Sequence, residues 1–160
     1  MKYLYIALVF AVVFVPAAVA QKPAEGTQTA APRYDAELAK RLGADDIGMR
    51  KYVLAILRTG PAKITDEAER KKLFAGHFGM INGLAAEGKL SVAGPLNDPA
   101  KVYRGIYVFN VDTVDEARKL TETDPSIKAG IFQVEFIEWY SSAGLMEVNS
   151  IHNRIQRPKP

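Results

Sequence analysis

With two histidines and no cysteine in 160 residues, few side chains here can move a proton near neutral pH. On a helical wheel Leu73, His77, Met80, Ile81 and Leu84 fall within one arc about 100° wide, with Phe74 at its margin. His77 therefore sits mid-way across an apolar face. A neutral imidazole there can take or give a proton, while the plainer reading is a core histidine bonded to a buried polar group. His152 falls on an expected tail helix, away from any motif. The lack of cysteine excludes disulfides, thiolate nucleophiles and cysteine-held metal. Two histidines barely allow a metal site, so no metal and no cofactor is expected. No Ser-His-Asp constellation, nucleotide loop or zinc motif is recognisable. Arg58 and Arg104, at strand ends, could hold an anion, but a solvated or salt-bridged guanidinium is the plainer reading and neither is assigned to a site. Gly94-Pro95 reads as a pocket wall or a strand-ending turn. Asp124-Pro125 reads as a helix cap and stop, and Asp98-Pro99 as a turn.

The elements that must position these residues follow a long prelude. Residues 1–20 carry Lys2, an apolar run, Pro16 and small residues at Ala18 and Ala20, the pattern of a cleavable secretory signal. Residues 21–33, rich in Ala, Pro and Thr with no hydrophobic period, read as a flexible linker. The 140 residues beyond the signal suffice for one domain. Losing Lys2 lowers the formal net charge from +3 to +2, spread along the chain, so nucleic acid is not an expected partner.

Tyr34, Leu38 and Leu42 are spaced helically up to Gly43, giving an N-terminal helical extension over 34–48. Residues 51–58 form a dense apolar strand closed by Thr59-Gly60-Pro61. Asp66 with Glu69 resembles a capping box for the helix that bears His77, and Gly88 stops that helix. Strands are predicted at 90–93, 104–111 and 131–139. Between the last two, Thr113 caps a helix that halts at Asp124-Pro125. Residues 141–160 form a C-terminal extension of loop and short helix.

Strand, helix, strand, strand, helix, strand means two βαβ units or a ferredoxin-like βαββαβ sandwich, an α+β fold with one antiparallel sheet and both helices on one face. The strands are apolar on both faces: Val53, Ala55 and Leu57 alternate with Tyr52, Leu54 and Ile56. A second sheet should cover the bare face, most simply from an identical chain. Gly76, Gly79 and Gly83 form a stripe beside the His77 arc, which predicts a close neighbour there.

Four pieces in order resemble the YciI-like (YCII-related) family over residues 49–140: Tyr52-Val53-Leu54, His77 in mid-helix, Glu87 to Leu90 followed by Ala93-Gly94-Pro95, and Thr123-Asp124-Pro125 with Ala129-Gly130. The flanks resemble extensions of an exported subgroup. The resemblance implies a dimeric α/β barrel in which two ferredoxin-like sheets face one another. It also implies that His77 and Asp124 are the helix histidine and the Asp-Pro acid proposed as an active-site pair in such proteins, without an agreed reaction. The expectation is an exported homodimer doing proton-transfer chemistry on a small organic molecule, with His77 as general base or acid and Asp124 orienting it. The alternative is a non-catalytic periplasmic dimer that binds a hydrophobic ligand or a protein. Once the signal is cleaved no membrane segment is expected, and the protein should be periplasmic or secreted. The mature chain should begin at Gln21, as an intact mass would show; retention of residues 1–20 would refute export by cleavage.

Overall fold

The alternation in Met49–Thr59 makes this strand, β1, the centre of the sheet: Val53, Ala55 and Leu57 are buried, while Leu54 and Ile56 on the opposite face are half-buried. The computed structural model describes residues 33–157. The expected signal at 1–20 and nearly all of the linker lie outside the described residues. After β1 come α2 (Glu67–Ala86), β2 (Leu90–Pro95), β3 (Tyr103–Phe109), α3 (Val114–Thr121), α4 (Pro125–Lys128) and β4 (Phe132–Ser142). A short helix, α1 (Ala36–Leu42), precedes them. A 3-10 turn (Ala143–Glu147) and α5 (Val148–Ile155) follow. Every neighbouring pair is antiparallel and the strand order is β2-β3-β1-β4. This is the ferredoxin-like α+β sandwich. Its core lies between sheet and helices, where Val53, Ala55, Leu57, Tyr107, Phe109 and Phe132 meet Leu84 and Ala117.

Local chemistry sets the helix ends. Asp66 accepts from the Glu69 N–H at 2.7 Å and opens α2. Gly88, at φ 70°, closes it by letting the chain turn left-handed, with the Lys89 N–H returning to the Leu84 carbonyl at 2.9 Å. Thr113 and Glu116 form a reciprocal capping box at the start of α3.

Three sequence expectations need correction. First, Asp124-Pro125 starts a helix instead of stopping one. α3 has already ended at Thr121, and Asp124 caps α4 by accepting from the Ser126 N–H, with proline at the first helical position where no N–H is needed. Second, Gly94-Pro95 is not a turn after the strand but the last two paired residues of β2, opposite Ile106 and Gly105. Third, the close neighbour expected along the glycine stripe is met at Gly76 alone. A Cβ on Gly76 would lie 2.5 Å from Pro125 Cγ, whereas Gly79 and Gly83 face open space.

The sheet face away from α2 and α3 is partly covered within the chain. Tyr52, 1% exposed, donates its hydroxyl to the Ser142 carbonyl at 3.1 Å, and Ser91 Oγ lies 3.3 Å from Met146 Sδ of the 3-10 turn. Asn149 of α5 donates to the Leu90 carbonyl at 2.7 Å, satisfying part of the β2 edge. Leu54, Ile56 and Ile106 stay half-buried beside Ile137, which is exposed.

The glycine contrast gives a direct test. Gly76→Ala should destabilise the protein by about 1–3 kcal/mol, because the ring of Pro125 must move. Gly79→Ala and Gly83→Ala should each stabilise it by roughly 0.5–1 kcal/mol through lower unfolded-state entropy. Urea denaturation reads both effects; a Gly76→Ala protein as stable as the wild type would show that Pro125 is not pressed against α2.

Candidate active site

The route from sequence to site begins at Gly76. With no side chain there, the Pro125 ring reaches the α2 backbone, and Ser126 Oγ adds a 3.3 Å hydrogen bond to the Leu73 carbonyl. Docking α4 in this way brings Asp124 to the histidine one residue beyond Gly76. Asp124 Oδ2 lies 2.7 Å from His77 Nδ1, with Asp124 fully buried and His77 7% exposed. Asp124 Oδ1 accepts the Ser126 N–H at 2.8 Å. From β3, the Tyr107 hydroxyl donates to Asp124 Oδ2 at 3.3 Å and lies 3.3 Å and 3.5 Å from the two ring nitrogens of His77.

This network assigns the tautomer. A carboxylate only accepts, so the short contact requires the proton on Nδ1, and in the neutral ring Nε2 then carries the lone pair. The imidazole is ringed by aromatic side chains: Phe78, Phe132 and Phe74 have centroids 5.3, 5.5 and 5.9 Å from it. Burial is the main reason the Tyr107 phenol titrates well above its ordinary value, followed by the charge of Asp124 and the hydrogen bond to it. Tyr107 is thus a donor throughout the neutral range.

His77 and Tyr107 line a cavity of about 370 Å³ between α2 and the strand ends, with Phe74, Phe132 and Arg104 also on its wall. Its rim includes the exposed side chains of Phe78, Ala93 and Pro95. A buried His–Asp pair beside a solvent-facing, aromatic-walled cavity can orient a base toward a bound molecule.

Compared with known families, residues 51–140 match the YCII-related domain. The chain belongs to the YCII-related domain family. YjpA of Bacillus subtilis (strain 168), described as an uncharacterized protein, is 29% identical over 91 residues, which are 57% of this chain and 95% of YjpA. Among solved structures, 5-chloro-2-hydroxyhydroquinone dehydrochlorinase (TftG) from Burkholderia phenoliruptrix AC1100, in complex with 2,5-dihydroxybenzoquinone, is similar at 23% identity and a TM-score of 0.40, covering 54% of this chain and 92% of that one.

Within this YCII-related domain the other sequence candidates separate. Gly94 and Pro95 do form a cavity wall. Arg58 faces Glu135 at 3.9 Å in an exposed pair, the plainer of its two readings. Arg104, not assigned to a site from sequence, lines the His77 cavity. His152 lies on α5 beside a separate cavity of about 380 Å³ whose lining holds no carboxylate. No group of three or more His, Cys, Asp or Glu side chains suited to a metal occurs among the described residues. Tyr107 was missed as a site residue: strand alternation puts it on the inward face, yet nothing in the pattern says what its hydroxyl meets.

The raised Tyr107 pKa has a definite sign. The folded state favours the protonated phenol, so its contribution is fully present below the unfolded value of about 10 and is lost as pH rises above it. Tyr107→Phe should flatten this alkaline loss, while lowering stability at neutral pH by about 1 kcal/mol through the missing bond to Asp124. Urea midpoints measured from neutral to alkaline pH decide this; an unchanged alkaline slope would assign the loss to other groups.

Proposed function

We propose that this protein is an acid/base enzyme acting on a small organic molecule bound in the His77 cavity. The observation that carries the reading is the 2.7 Å contact between His77 Nδ1 and a fully buried Asp124 at the cavity wall. Asp124 holds the ring in one tautomer and orientation, Nε2 takes a proton from the substrate, and the imidazolium so formed is stabilised by the adjacent carboxylate. Ser126 N–H and Tyr107 O–H occupy the other acceptor positions of Asp124 and keep it from rotating away. Returning the proton from Nε2 at a different atom of the substrate completes an isomerisation. On the pattern of residues 1–20, we place this activity outside the cytoplasm.

We further propose that the domain works as a homodimer, sheet facing sheet as in a dimeric α/β barrel. Leu54, Ile56, Ile106 and Ile137 make an apolar strip on the sheet face away from α2, and a second copy is the simplest cover for it. Light scattering at micromolar concentration should give twice the chain mass, and Ile56→Glu should shift it to the monomer. A wild-type protein that is strictly monomeric would sink the barrel.

A non-catalytic role in binding a hydrophobic ligand is favoured only by the aromatic walls, and His77 separates the two readings. Incubated in D₂O with a panel of small conjugated carbonyl compounds, the wild type should promote deuterium incorporation, read by mass spectrometry. His77→Asn should abolish it, and Asp124→Asn should slow it about 10²–10⁴-fold by misorienting the imidazole. Both variants should remain folded. Incorporation that persists in His77→Asn, or a His77→Asn protein that unfolds, would leave the binding role standing.

A further inference from the structure

Arg104 reaches the cavity through an irregularity in the sheet. Across the β1–β3 ladder Leu57 pairs with Gly105, but the next residue, Arg58, pairs with Tyr103, so Arg104 is an extra residue in β3. Such a bulge re-aims a side chain that plain alternation would send to the opposite face. Here the guanidinium comes to lie on the same side as Gly105 and Tyr107, on the cavity wall and 5.8 Å from the Phe132 ring centroid. Among the described residues no carboxylate lies within 4.0 Å of it; its one protein hydrogen bond is a long one, 3.4 Å from Nη1 to Thr59 Oγ1. Most of its donors are unused.

The charge inventory of the cavity is correspondingly simple. Its wall carries Arg104, His77 and the Tyr107 phenol as ionisable groups, and no acidic side chain. Asp124 lies behind the imidazole and is held by it. A guanidinium presents a planar fork that matches a carboxylate, and it does so best on a half-dry wall. Phe74, Phe78 and Phe132 offer ring faces and edges to a flat molecule.

We propose that Arg104 anchors the ligand of this cavity, and that the ligand is a small, flat organic monoanion bearing a carboxylate. Its carboxylate lies on the guanidinium, its ring among the three phenylalanines, and its far end toward His77 Nε2. One guanidinium matches one negative charge, and it is the one permanently charged group on this wall. This assignment rests on the cavity being the substrate site, as proposed above.

Calorimetric titration with benzoate and 2-naphthoate, each paired with its neutral amide, tests it. The carboxylates should bind at least about tenfold tighter than the amides, as a charge-assisted pair requires. Arg104→Gln should remove that preference. Arg104→Lys, keeping the charge but not the fork, should restore part of it. Arg58→Gln, at the exposed pair with Glu135, should alter neither affinity. Amides that bind as well as carboxylates, a preference that survives Arg104→Gln, or no carboxylate binding at millimolar concentration would each overturn the anchor. Affinity needs no proton transfer, so the two readings fail separately. Arg104-dependent binding without any turnover overturns the acid/base role alone; His77-dependent turnover without an Arg104 effect overturns the ligand class alone.

Discussion

A carboxylate with no exposed surface constrains the whole arrangement. Taking Asp124 out of water costs several kcal/mol unless each oxygen meets a donor. The donors come from three elements: the His77 imidazole from α2, the Tyr107 hydroxyl from β3 and the Ser126 N–H from α4. Sheet, long helix and short helix must therefore meet at one point. Gly76 makes the meeting possible, since any side chain there would collide with Pro125 and hold α4 away from α2. Packing and polarity are coupled at this spot: the small residue that permits the helices to touch also delivers the acid to the base.

The same coupling explains why the histidine is buried and yet borders a cavity. Its Nδ1 side faces a buried acceptor, and its ring packs among phenylalanines in the manner of any core side chain. Yet the same side chain also lines the cavity, beside Arg104 and Phe78.

Burial is less complete on the far side of the sheet. The C-terminal extension covers the end where Tyr52 and Ser91 lie and caps part of the β2 edge through Asn149. The middle of that face keeps half-buried aliphatic side chains. Cross-strand neighbours such as Leu54 with Ile137 and Ile56 with Ile106 give the sheet its lateral cohesion on that face.

Much of the fold was legible from residue order because its determinants are local. Alternation in β1, the caps Asp66 and Thr113, and the stop at Gly88 each act within a few residues, and their order left two βαβ units or a ferredoxin-like sandwich, between which the antiparallel sheet order decides. His77 could be placed on the buried arc of α2 for the same reason. That Asp124 belonged with it came from resemblance, since the two are 47 residues apart and nothing local links them. Asp124-Pro125 misled because such a dipeptide can either stop a helix or start one; only the bond to the Ser126 N–H tells the two apart. The glycine stripe likewise predicted a close neighbour without saying at which glycine, because a wheel shows which residues share a side and not where the neighbouring chain runs; Pro125 meets it at Gly76. Arg104 was the least legible of all. Its place on the cavity wall depends on an offset between two strands more than 40 residues apart in sequence, a register that only the assembled sheet defines.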